Sequence, residues 1–253
     1  MFRSIFRARV RLRAQHAFEQ VLGPGYDGEV FLCGGAFKPL LKRGAGMNDL
    51  DLWVRDRKER EKLTRFLLAR GAVLARDFHP YCLKLRLDGR LIEITYHNVR
   101  DSALADVLNT FDLAICGVGA RYEKGRVAEV HVSDECWQAV RSRTVQVLPS
   151  YLCALQALKT PSLIRTLHRM GQQAAELDFQ VDVAQEHLLW EIFSNDYSEE
   201  ERRAAMDLYF ETMVSYKGIC DENLVRRATG GYVPSFPGIP DGNPLPLLVP
   251  QPA

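Results

Sequence analysis

Polar and apolar residues alternate along Asp49-Leu50-Asp51-Leu52-Trp53-Val54 and again along Leu91-Ile92-Glu93-Ile94-Thr95-Tyr96-His97. A period of two predicts strands with one face in the core. An apolar run, Val30-Phe31-Leu32-Cys33, precedes Gly34-Gly35 and predicts a strand over 28–34, with a short helix near 36–42. Arg57 to Arg70 is charged, with Leu63, Phe66 and Leu67 as an apolar stripe, and reads as an amphipathic helix ending at Gly71. Strands over 80–87 and 91–97 are joined by Asp88-Gly89, a strong hairpin signal. A second hairpin is expected from Asp112–Arg121 and Arg126–His131. Residues 4–21 read as a leading helix stopped by Gly23-Pro24-Gly25. Beyond Pro149 the pattern is helical to about Lys217, with Thr160-Pro161 as N-cap and first-turn proline and Ser198-x-x-Glu201 as a capping box.

The expected fold class is α+β. A small mixed or antiparallel sheet with flanking helices occupies residues 1–148, an all-helical region 149–228, and a proline-rich, extended or disordered tail 229–253. That tail holds seven prolines and cannot sustain regular backbone hydrogen bonding; it is a candidate docking segment for a protein partner.

Composition adds limits. With 253 residues, 47% hydrophobic and 26% charged, the chain is that of an ordinary globular protein. A net charge of +1 gives no bulk attraction to nucleic acid, so any basic surface is local. No apolar run approaches the ~20 residues of a membrane span, and no membrane partner is expected. The six cysteines are scattered without a Cys-x-x-Cys pair and read as reduced, buried thiols of a cytoplasmic protein. Arg3, Arg7, Arg9, Arg11 and Arg13 precede the first acid, Glu19. The expectation is a helix with a solvated basic face, the alternatives being an organellar transit peptide or an RNA-contacting helix.

The chemistry concentrates in one place. Asp49 and Asp51 project from the same strand face, and two adjacent carboxylates call for a hard, oxygen-seeking cation such as Mg²⁺, with Mn²⁺ as an alternative. Gly34-Gly35 allows backbone to approach a phosphate closely. Glu93 faces away from the core with Thr95 and His97, and would complete a three-carboxylate site if its strand lies beside that of Asp49 and Asp51. Other motifs fall away. Gly23-Pro24-Gly25-Tyr26-Asp27-Gly28 fits G-x-G-x-x-G but follows a helix and precedes a strand, the reverse of a dinucleotide site. No histidine pair or cysteine pair has zinc spacing.

This constellation resembles the nucleotidyltransferase superfamily with the DNA polymerase β-type palm, nearest to the head of poly(A) polymerases and CCA-adding enzymes. Those heads carry a glycine pair, an Arg-Asp, a Leu-rich turn and Asp-x-Asp. The corresponding run here is Gly34-Gly35-Ala36-Phe37-Lys38-Pro39-Leu40-Leu41, ending at Asp49-Leu50-Asp51. Glu93-Ile94-Thr95-Tyr96-His97 resembles the family's glutamate before Thr-Phe-Arg, and Thr110 to Cys116 its Arg-Arg-Asp-Phe-Thr-Ile-Asn block. The neck resembles Thr160-Pro161 through Arg165 and Arg169 to Asp182. Lys38-Pro39 replaces Arg-Asp, Phe111 stands where an arginine would contact nucleotide or primer, and Cys116 replaces asparagine.

The resemblance implies an enzyme that transfers NMP from an NTP to an acceptor, an RNA 3′ end foremost. Asp49, Asp51 and Glu93 would serve two Mg²⁺ ions, Gly34-Gly35 the β- and γ-phosphates. Lys38, with Lys42 or Arg43, would offset triphosphate charge, and Arg165 and Arg169 would reach nucleotide or acceptor. Two other readings keep the fold: nucleotidyl transfer to a protein or small molecule, and a non-catalytic binding protein.

Overall fold

Two hairpins with matching turns build most of the sheet. Asp88-Gly89 and Lys124-Gly125 each place both central residues at positive φ (49° and 76°, 50° and 80°), the type I′ turn whose twist suits paired strands. The first joins β4 (Cys82–Leu87) to β5 (Arg90–Tyr96), the second β6 (Val118–Glu123) to β7 (Arg126–Val132). With β1 (Val30–Cys33), β2 (Asp49–Val54) and β3 (Val73–Phe78) they form, among the described residues, a seven-stranded sheet in the order β3-β4-β5-β2-β1-β6-β7. β2 and β5 run parallel; the other neighbours are antiparallel.

The computed structural model describes residues 2–23, 25–45, 49–78, 82–96, 103–215 and 218–230, without the side chains of Asp49, Phe78, Tyr96 and Ser215. The proline-rich stretch from 231 onward, His97 and the side chain of Asp49 therefore lie outside the described residues. Chain contacts divide the molecule into two units, Met1–Leu152 with Gln173–Asp182, and Cys153–Gln172 with Val183–Ala253.

In the first unit, Leu50, Leu52, Val54, Ile92, Ile94, Leu85 and Leu32 turn one sheet face into the main core. Helix α1 (Phe2–Val21) buries Phe6, Val10, Ala14, Phe18 and Val21 at helical spacing, and α2 (Arg57–Ala69) buries Leu63 and Leu67. The opposite face carries a smaller cluster, where Phe31 and Cys33 meet Leu104, Val107 and Leu108 of α3 (Leu104–Leu108), with Trp53 and Phe111 packed against it. The sheet's polar positions open onto this second face.

Several expectations need correction. The basic face of α1 is not simply solvated: Arg3, Arg7 and Arg11 donate to the carbonyls of Val132, Val130 and Val127 on edge strand β7, while Gln15 accepts from the Val127 N–H. Helical i, i+4 spacing thus seals an edge that would otherwise present unpaired backbone. The β6 strand begins at Val118, not Asp112, because residues 112–114 pair their backbone with Gln146 and Leu148 and then turn through a short 3₁₀ segment, Ala114–Cys116. Strand β3 and helix α4 (Asp134–Ser142) were not anticipated. The cap of α4 was legible, since Ser133 accepts from the Cys136 N–H and Asp134 and Glu135 fill the first turn. Of the cysteines, all free, Cys33, Cys116 and Cys136 are buried but Cys153 is exposed.

The first unit also contains a short parallel pair, β8 (Thr144–Val145) with β9 (Gln180–Val181). The helices beyond are α5 (Pro149–Leu158), α6 (Leu163–Leu177), α7 (Val183–Glu191), α8 (Glu199–Tyr209) and α9 (Glu222–Ala228). Helix α6 starts at Leu163 rather than after Thr160, with Ser162 accepting the helical bond from the Thr166 N–H. The Ser198–Glu201 capping box is present. In the second unit the Tyr209 hydroxyl bonds His168 Nδ1 at 3.2 Å and accepts from the Asp221 N–H at 2.9 Å. Among the described residues no helix is long and apolar enough to cross a membrane.

Candidate active site

The register of β2 and β5 is set by their apolar residues. Leu50 pairs with Ile92 and Leu52 with Ile94, all at most 1% exposed. A slip of one residue would bury acids instead. With that register, Asp51 must stand opposite Glu93 on the other face, on strands about 4.8 Å apart. The juxtaposition that the sequence left conditional is therefore present, and Asp49 lies two residues along the same strand.

Gly34 and Gly35 begin the 3₁₀ segment Gly34–Leu40 directly after β1. Because Phe31 pairs with Trp53 and Leu32 with Leu52, the end of β1 runs beside Asp51. Gly34 has φ +59°, a left-handed conformation, and an added Cβ would lie 3.7 Å from the Cys116 Cβ. Gly35 has no such backbone constraint; a Cβ there would meet only the Lys38 Cε, at 3.8 Å. The protein itself thus requires glycine at 34 but not at 35.

Glu93 has a partner that sequence reasoning missed. Lys84, opposite it on β4, places Nζ 2.6 Å from Glu93 Oε2, with the two side chains 12% and 24% exposed. The signal was available: counting outward from the Asp88-Gly89 turn reaches Lys84 opposite Glu93. The carboxylates also act on nearby thiols. Burial, followed by the charge of Glu93 and a hydrogen bond to it, pushes the Cys82 thiol up to about 12. Burial and then the charge of Asp51 hold Cys33 well above its ordinary value. Both shifts favour the protonated thiol.

The remaining expected residues are placed as follows. Lys38 donates to Glu176 at 2.7 Å, within the first unit, so its ammonium already has a carboxylate. Arg165 and Arg169 are half-buried, one turn apart on α6, in the second unit. Phe111 packs edge-on against Trp53, ring centroids 5.4 Å apart at 89°. It therefore supports the strand that bears Asp51. Cys116 is buried beneath Gly34.

Neither a protein-family model nor a curated protein matches the chain. Solved structures do. A tRNA-processing enzyme with CTP is 14% identical at a TM-score of 0.52, the match covering 82% of this chain and 57% of that one. A tRNA nucleotidyltransferase complexed with a primer tRNA and an incoming ATP analogue is 14% identical at 0.52, over 82% of this chain and 61% of that one. A CCA-adding enzyme in complex with ATP is 18% identical at 0.51, over 87% and 49%. The chain thus spans between 49% and 61% of the length of these proteins. At such identities the likeness concerns the fold. The expected resemblance holds at that level: over most of its length the chain shares the fold of these tRNA nucleotidyltransferase and CCA-adding enzyme structures.

Proposed function

We propose that this chain is a metal-dependent nucleotidyltransferase that moves NMP from an NTP to an acceptor, an RNA 3′ end foremost, and acts in the cytoplasm. One observation carries the reading. Asp51 stands in register with Glu93 on the parallel strands β2 and β5, beside the turn that starts at Gly34-Gly35. The fold likeness to tRNA nucleotidyltransferases supports it, and the CTP, ATP analogue and tRNA bound in those structures point to the substrates proposed here.

The donor set suits Mg²⁺, or Mn²⁺ in its place. Carboxylate oxygens are the ligands such hard cations take, and the charge of Asp51 is already felt by Cys33. Asp49 and Asp51 would hold the metal, which when bound neutralises triphosphate charge and makes an attacking hydroxyl more acidic. The chain's own groups would do the positioning. Backbone N–H groups at Gly34-Gly35 would donate to the β- and γ-phosphates, and Lys38, shared with Glu176, would balance their charge. Arg165 and Arg169 would serve nucleotide or acceptor from the helical region. In this reading residues 1–148 are the transfer head and 149–228 a neck.

A second reading, a non-catalytic binding protein with the same fold, is favoured by the Lys84–Glu93 ion pair, which neutralises one of the expected acids. The two are separated by incubating the protein with each labelled NTP, Mg²⁺ and RNA, beside an Asp49→Ala/Asp51→Ala variant. Transfer by the wild type, reduced at least about a thousandfold in the variant, is expected. Label transfer that survives the double substitution removes these carboxylates from the chemistry. Nucleotide binding without transfer to RNA, protein or small molecule selects the second reading.

A further inference from the structure

The face of the sheet that bears Asp51 carries a row of charged residues across four strands, two cations followed by two carboxylates. Register places Arg76 of β3 opposite Lys84 of β4, Lys84 opposite Glu93 of β5, and Glu93 opposite Asp51 of β2. Two cations directly opposite each other repel, so Lys84 gains by leaning away from Arg76 and toward Glu93, where its Nζ lies 2.6 Å from Oε2. Both members of the ion pair are largely shielded, Lys84 at 12% and Glu93 at 24% exposure. Separating such a pair leaves a desolvated charge behind, a far larger penalty than for an exposed pair.

We propose that Lys84 is a built-in counter-cation that withholds Glu93 from metal coordination, leaving Asp49 and Asp51 as the metal-holding pair. This rests on reading the Asp49–Asp51 strand as the metal site, and it deepens that reading. A divalent ion seeking Glu93 must displace an ammonium already seated on it, and Mg²⁺, which sheds its water reluctantly, is poorly suited to that competition. Glu93 then serves as an anchored acid that fixes the field beside Asp51. Lys84 is a positioning residue, and removing its charge frees a third carboxylate for the cation.

The test uses the full chain and Mn²⁺ alone, without nucleotide, so that its readout is metal binding by calorimetry and by the electron paramagnetic signal of free Mn²⁺. Lys84→Met keeps the aliphatic stem and removes the charge. It is expected to tighten Mn²⁺ binding by about tenfold or more, and Lys84→Met/Glu93→Gln is expected to lose that gain. In that double variant, which leaves neither charge unpaired, Mn²⁺ affinity should lie within about twofold of wild type. Unchanged Mn²⁺ affinity in folded Lys84→Met overturns the proposal. So does a loss of about tenfold or more in the double variant, which decides the matter even if Lys84→Met alone does not fold. Asp51→Asn tests the underlying site separately: if it leaves wild-type Mn²⁺ binding intact, the metal reading of Asp51 fails, while a gain in Lys84→Met that depends on Glu93 still upholds the role of Lys84.

Discussion

At the scale of single residues, the glycine pair separates what the fold needs from what a ligand would need. Gly34 sits at φ +59°, so Gly34→Ala is expected to cost about 1–2 kcal/mol in urea unfolding, the penalty of a left-handed backbone with a Cβ. Gly35 has ordinary backbone, and a methyl there meets only a lysine side chain at contact distance. Gly35→Ala is therefore expected to change stability by less than ~0.5 kcal/mol. If the amides at this turn approach phosphate, it should nevertheless weaken NTP binding by about tenfold, a loss of ~1.4 kcal/mol. Nucleotide titration beside the unfolding curve checks both; unchanged nucleotide affinity in Gly35→Ala would remove the turn from the binding site. Both glycines look equivalent in sequence. Only the backbone angle, which follows from how β1 is seated against β2 and β6, tells them apart.

At the scale of elements, α1 shows how one helix both fills the core and closes a sheet edge. Phe6, Val10, Ala14 and Phe18 face inward, while Arg3, Arg7, Arg11 and Gln15 lie along β7. The third carbonyl in this ladder is that of Val127 because the β6–β7 register shifts between Arg121 and Tyr122. Replacing Arg7 by Met keeps its stem but leaves the Val130 carbonyl without its donor. The expected loss is about 1.5–3 kcal/mol, that of a hydrogen bond to a charged group. Gln15→Ala should speed hydrogen exchange at the Val127 amide, whose N–H it holds at 3.0 Å; protection equal to wild type would show that the edge is closed by other means. The basic run was visible in the sequence, but its target was not, because the carbonyls it meets lie more than a hundred residues away. Element α8, by contrast, was fully local: Ser198 and Glu201 cap it as their spacing predicts. The missed strand β3 lacks any alternation to read, since Val73 through Asp77 are all exposed.

At the scale of the whole molecule, Glu29 ties together strands that are distant in sequence. It bonds Arg55, just after β2, and Arg121 of β6. Burial works against its charged form, but the two guanidinium groups outweigh it and hold the carboxyl below its ordinary value. A depressed carboxyl contributes stability that is fully present above the unfolded value, near ~4.3, and is lost as pH falls through the folded one. Wild type should therefore lose stability steeply below about pH 4, and Glu29→Gln, less stable at neutral pH, should lose less over the same interval. Urea midpoints between pH 3 and pH 7 measure this; parallel profiles for the two proteins would show that the linkage lies elsewhere.

The sequence by itself determined which faces of β2 and β5 are buried, where the Asp88-Gly89 hairpin turns, and which residue types could do phosphoryl chemistry. Periodicity, turn preference and side-chain chemistry are properties of neighbouring residues, and they can be read without knowing the fold. Leu50, Leu52, Ile92 and Ile94 marked their faces in this way, and Asp51 and Glu93 the polar side opposite. Only the tertiary structure decided that β5 lies parallel to β2, that Lys84 takes Glu93, that Glu176 takes Lys38, and that Phe111 supports Trp53. Partners of that kind are chosen by which buried surfaces fit across long stretches of chain, and a charged side chain carries no local mark of the one it will meet.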